Sequence, residues 1–214
     1  MSTAETTLDH RAVRLTAPVG AAVFLGSYLA VDLVAGDAER PLPDAPATAI
    51  FDYVTGNATG VAMTGVMQLV SVLGLALFVH AVRRVRGTGA SHLVGYAAVV
   101  AMCLSVTASF VTAAFGADLS ASTVAAITKG GFYAGGVGHV VLLGTYVWLT
   151  RGAFRARAIR IFGAVAAVPA FLSLSSLLFY YGNAFILLGR LLGMAWIIVA
   201  AVAAVRGGVR RVAS

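Results

Sequence analysis

Three ionisable residues stand inside apolar runs of this sequence: Asp32 in SYLAVDLVAG, Lys129 in TVAAITKGGFYAG and Arg190 in NAFILLGRLLGMAWIIVAAVAAV. A guanidinium at the centre of a membrane helix costs about 2.5–3.5 kcal/mol on insertion scales, so such groups face protein or water and find partners. Tyr28 lies one helical turn from Asp32, and Tyr133 one turn from Lys129, so each of those charges shares a helix face with a phenol. Arg190, Lys129, Asp32, Tyr28 and Tyr133 are therefore the candidate ligand-binding residues. Together they would make a polar pocket with surplus positive charge, suited to the headgroup of a lipid-like anionic amphiphile. Two other arrangements stay open. Arg190 and Asp32 can form a structural pair, or Lys129 and Arg190 can extend their charged ends outward to the interface. An enzyme built here would use Asp32 as acid or base beside Tyr28, but no nucleophile–base pair or cluster of metal ligands accompanies them.

The elements that must hold these residues are membrane helices. Hydrophobic residues make up 60% of the 214, charged residues only 11%, and the mean hydropathy is +0.93. Soluble domains run near 45–50% apolar and about 25% charged. Apolar runs at 17–35, 59–80, 92–115, 124–150, 161–181 and 183–205 are each read as a span, since about 20 residues cross the hydrocarbon. The expected fold is all-α: a single transmembrane domain over 1–214, a bundle of six helices. A cleaved leader is the rival reading of the first run, flanked by Arg11 and Arg14. That run exceeds the usual h-region of about 7–15 residues. Residues 36–56 form a loop with three prolines and four acids, and a short interfacial helix is expected at Ala47–Val54, with Phe51 and Tyr53 at headgroup level.

Charge distribution sets the orientation. With both termini in the cytoplasm, the inner segments hold Arg11 and Arg14, then Arg83, Arg84 and Arg86, then Arg151, Arg155, Arg157 and Arg160, then Arg206, Arg210 and Arg211. Of the loops on the other side, only 36–56 carries a basic residue, Arg40. This follows the positive-inside rule and points to a multi-pass protein of a bacterial inner membrane. The +7 net charge does not indicate nucleic-acid binding, because the arginines sit in short clusters between spans.

Polar stripes mark the inward faces. The second span region carries Asn57, Thr64, Gln68 and Ser71, the third Ser105, Ser109 and Thr112, the fifth Ser173, Ser176 and Tyr180. Interhelical hydrogen bonding is their structural reading. Gly131/Gly135 and Gly189/Gly193 are GxxxG pairs, which predict that the fourth and sixth spans cross there. His139 is expected to make a hydrogen-bonded helix contact. His80 and His92 flank an interfacial turn, where two axial haem ligands are poorly placed. No cofactor or metal is expected, and the lone Cys103 excludes a disulfide framework.

The layout resembles a family of uncharacterised six-span bacterial membrane proteins of the domain-of-unknown-function type. The likeness covers spans two to six and rests on AIFDYVTGNATG, FVHAVRRVRG and GFYAGGVGHVVLLGTYVWLTRGAFRARAIRIFGAVAAV. It implies a fold and carries no catalytic motif. Three function classes follow from the residues: a binder or modifier of an anionic amphiphile, a small transporter or channel, and an accessory subunit meeting a membrane-protein partner through its small-residue faces. A polar cavity in one half favours the first, a continuous polar path the second, and glycine ridges facing lipid the third.

Overall fold

The computed structural model describes residues 3–34, 39–86 and 89–209, and the chain there is helical apart from short connections. In order, the helices are α1 (Thr3–Leu29), α2 (Val31–Val34), α3 (Ala47–Gly56), α4 (Ala58–Arg86), α5 (Ala90–Phe115), α6 (Ala121–Phe132), α7 (His139–Thr150), α8 (Arg157–Leu172) and α9 (Asn183–Val205). A π-helical turn, Tyr133–Gly138, joins α6 to α7 into one rod. Five segments are long and apolar enough to cross a membrane: Ala58–Arg83, Ala90–Asp118, Ala121–Ala153, Arg157–Leu177 and Asn183–Val205. They overlap the apolar runs read as spans two to six. Within α1, Leu15–Leu29 is a shorter apolar helix. The chain is thus an all-α polytopic bundle of membrane-crossing helices.

α1 nonetheless belongs to the core. Its most extensive contact is with α4, and Ala17, Ala21 and Phe24 are buried there with Leu75 and Phe78. Two glycines permit this: a Cβ on Gly74 would lie 2.5 Å from the Phe24 nitrogen and 2.7 Å from the Gly20 oxygen. Ser71 Oγ donates to the Phe24 carbonyl at 2.7 Å across the same seam. α1 also runs through Pro18, which is interior to the helix.

Two packing expectations are corrected. The GxxxG pairs of α6/π-turn and α9 do not face one another. A Cβ on Gly131 would meet Ala108, and one on Gly135 would meet Ser105, both on α5. Gly189 lies against Ala170 of α8 and Val140 of α7, and Gly193 against Leu143 of α7. The motif measures close approach and does not name the partner: α5 meets Gly131 and Gly135, while Gly189 and Gly193 of α9 do meet the fourth span, through Val140 and Leu143 of α7, with Ala170 of α8 beside them. The hydroxyl stripes, likewise, turn mostly onto their own helices. Thr64 donates to the Gly60 carbonyl at 2.9 Å, Thr112 to Ala108 at 2.9 Å and Ser109 to Ser105 at 3.2 Å. In an apolar medium the preceding-turn carbonyl is the nearest acceptor. Asn57 sits at the junction of α3 and α4, outside both helices.

The same chemistry ends α8 early. The fifth span was expected to reach 181, but α-helix stops at Leu172 and continues as the 3₁₀ turn Ser173–Leu177. Ser173, Ser175 and Ser176 donate to the carbonyls of Ala170, Leu172 and Ser173 at 2.6–2.7 Å, occupying acceptors the helix would use. Toward the opposite end, Trp196 is fully buried, donates Nε1–H to the Ile159 carbonyl at 3.0 Å and meets Phe154 edge-on.

Candidate functional site: a cationic cavity beneath α3

Where α4, α6 and α9 begin and α5 ends, the bundle opens into a cavity of about 360 Å³, within the range of small-molecule sites. Its roof is α3, which starts directly after Pro46 and buries Ile50 and Val54 against Val61, Val124 and Ala125. The interfacial helix expected at Ala47–Val54 is this roof. The rim is the segment Arg40–Pro43. The walls are the polar stripes: Thr64 and Gln68 from α4, Ser105, Ser109 and Thr112 from α5, and Thr128 and Lys129 from α6. Because α4 and α5 are consecutive and run in opposite directions, the first turns of one stand beside the last turns of the other.

Arg190 closes the inner side. One Nη2–H donates to the Gly135 carbonyl in the π-turn. A π-turn interrupts the regular i→i−4 ladder, so a carbonyl within it is open to an outside donor. The guanidinium carbon also stands 5.2 Å from the centre of the Tyr28 ring, a cation–π contact. Among the described residues, Arg190 Nε has no hydrogen-bond partner, nor do Gln68 Oε1 and Thr128 Oγ1, although all three atoms are buried. Buried polar atoms without partners are uncommon, and three around one cavity mark a place where a polar ligand or water fits.

The charge of the cavity is one-sided. The chain has fifteen lysines and arginines, and twelve lie in the clusters 11–14, 83–86, 151–160 and 206–211. The other three are Arg40, Lys129 and Arg190, and all three line this cavity. None of the described lining residues is a carboxylate. Arg40 reaches inward to donate Nη2–H to Thr64 Oγ1 at 3.4 Å.

Of the five candidates, Arg190 and Lys129 line the cavity, and Tyr28 supports Arg190 from behind. Tyr133 does not join them. It is half exposed, packs edge-on against Phe132, and lines a neighbouring cleft. The Asp32 side chain, and with it the expected Arg190–Asp32 pair, lies outside the described residues; so does the Tyr180 side chain. Sequence reasoning missed Arg40, whose signal was that it alone among the loop arginines broke the charge asymmetry. His139 is fully buried, and its Nδ1–H donates to the Ala98 carbonyl at 2.9 Å, the helix contact expected of it. His80 is exposed beside Tyr96, at 3.4 Å.

No family model matches the chain, and neither a curated protein nor a solved structure matches it. The likeness to six-span bacterial membrane proteins thus rests on spacing and composition, and the chain stands as a polytopic helical membrane protein.

Proposed function

We propose that this chain is a six-span, single-domain protein of a bacterial inner membrane, with both termini cytoplasmic, that binds an anionic lipid-like amphiphile through Arg40, Lys129 and Arg190. One observation carries the reading: the only three basic residues outside the four arginine clusters line one cavity whose described walls hold no carboxylate. Three like charges around a partly desolvated space repel one another, and an anion among them relieves that repulsion while gaining charge-assisted hydrogen bonds. By the charge asymmetry, the cavity lies in the outer half of the bilayer.

Two observations favour this over its rivals. Beyond the cavity floor, Leu75, Phe78, Leu143 and Tyr146 are fully buried and close the bundle, which argues against a continuous polar path. The glycines of the Gly131/Gly135 and Gly189/Gly193 pairs are buried against this chain's own helices, so neither pair is open to a protein partner. The test is mass spectrometry of amphiphiles that copurify with the full chain in mild detergent. An anionic amphiphile is expected with the wild type and absent from Lys129→Gln/Arg190→Gln. Identical, purely neutral or zwitterionic profiles from both proteins would overturn the reading.

A further inference from the structure

A second cleft, of about 350 Å³, adjoins the cavity and shares Pro43, Lys129 and Phe132 with it. The Phe132 ring lies over Gly136 of the π-turn, where a Cβ would approach it to 3.4 Å, and packs against Tyr133 on the cleft side. Phe132 is therefore the partition between the two spaces. The linings differ in kind. Three cations face the inner cavity, whereas the cleft holds Lys129 together with Asp44, so its formal charges cancel. The far wall of the cleft is Ser176–Phe179, the turn that the serines pull out of α8. Its apolar residues stand outside the bundle: Leu177 is 55% exposed, Leu178 86% and Phe179 52%.

We infer that the two spaces are one site for one molecule: the anionic headgroup in the inner cavity, and the hydrocarbon chain leaving past Phe132 through the cleft between α6 and the 176–179 turn into the bilayer. This rests on the amphiphile reading above and adds the route and the class of ligand, a single-chain amphiphile entered from the side. Charge decides which end goes where. An anion in the cleft would meet Asp44, whereas among the described lining residues of the cavity it meets three cations and no carboxylate. Lys129, facing both spaces, would hold the headgroup at the junction.

The probes are dodecyl phosphate and inorganic phosphate, titrated against the full chain in nanodiscs of zwitterionic lipid, with empty nanodiscs correcting for partition. Burying even a few methylenes should make dodecyl phosphate bind at least ~10-fold more tightly than inorganic phosphate. The ratio of the two affinities should fall at least ~5-fold in Leu178→Glu, which places a carboxylate in the chain's path, and in Phe132→Trp, which widens the partition. Leu178 is on the surface, so its variant tests the route even if Phe132→Trp folds poorly. Equal affinities for the two probes in the wild type, or a ratio unchanged by Leu178→Glu, would overturn the lateral route and leave the headgroup site standing. Binding of neither probe to the wild type would overturn the amphiphile reading itself.

Discussion

Alanine at Gly135 tests which helix the glycine-rich rod packs against. A methyl there would sit 2.5 Å from Ser105 Oγ and 3.5 Å from Met102 Sδ, both on α5. Overpacking of this kind costs about 1–3 kcal/mol, against which replacing a helical glycine by alanine returns roughly 0.5–1 kcal/mol. The single variant should therefore be less stable by about 1–2 kcal/mol. Ser105→Gly alone should lose about 0.5 kcal/mol in helix propensity. Combined, the two changes remove the clash and keep the propensity gain, so the double variant should fall within ~0.5 kcal/mol of the wild type. The resulting coupling, about 1–3 kcal/mol, is far outside the ~0.3–0.5 kcal/mol scatter of independent sites. Equilibrium unfolding of the four proteins in mixed micelles, titrated with a denaturing detergent, measures it. If Gly135 faced α9 as the motif alone suggested, Ser105→Gly would rescue nothing. Additive effects would refute the packing described here.

Further expectations are as direct. Gly74→Ala should destabilise by at least ~2 kcal/mol, because the atoms it meets are backbone and cannot rotate away. Gly130→Ala, with nothing within 4 Å of the new methyl, should stabilise by about 0.5–1 kcal/mol; thermal scans giving both variants the same sign would contradict the structure. Trp196→Phe should cost about 1–3 kcal/mol by removing the indole hydrogen bond to the Ile159 carbonyl and leaving part of a fully buried ring's space unfilled, read as a lowered midpoint in the same titration. For topology, cysteine at position 44 in a Cys103→Ala background should react with an impermeant maleimide on intact cells, and cysteine at 152 should not. The reverse pattern would invert the proposed orientation and move the cavity to the cytoplasmic half.

Much of this protein was legible residue by residue, because the properties concerned are local. Whether a run such as 183–205 matches the hydrocarbon thickness depends on that run alone, and α9 occupies those residues. The arginine clusters between spans, the short helix after Pro46, and the burden placed on Arg190 and Lys129 by their apolar neighbours are local in the same sense. Even so, Ser173–Leu177 escaped, since hydropathy counts serine neighbours without weighing their hydroxyls against the backbone for the same carbonyls. What only the tertiary structure decided is which faces meet. A GxxxG pair states that some backbone comes close; Ala108 and Ser105 were supplied by α5 and Ala170 by α8, and no periodicity within the rod distinguishes them. Thr64 and Gln68 share a wall with Ser105 and Thr112 because α4 and α5 lie side by side, and Arg40 joins them from a segment that has no helical phase to read. A cavity exists only as the space several elements leave between them. Its three cations, spread over 150 residues of the chain, come to line one cavity only when the bundle closes around them.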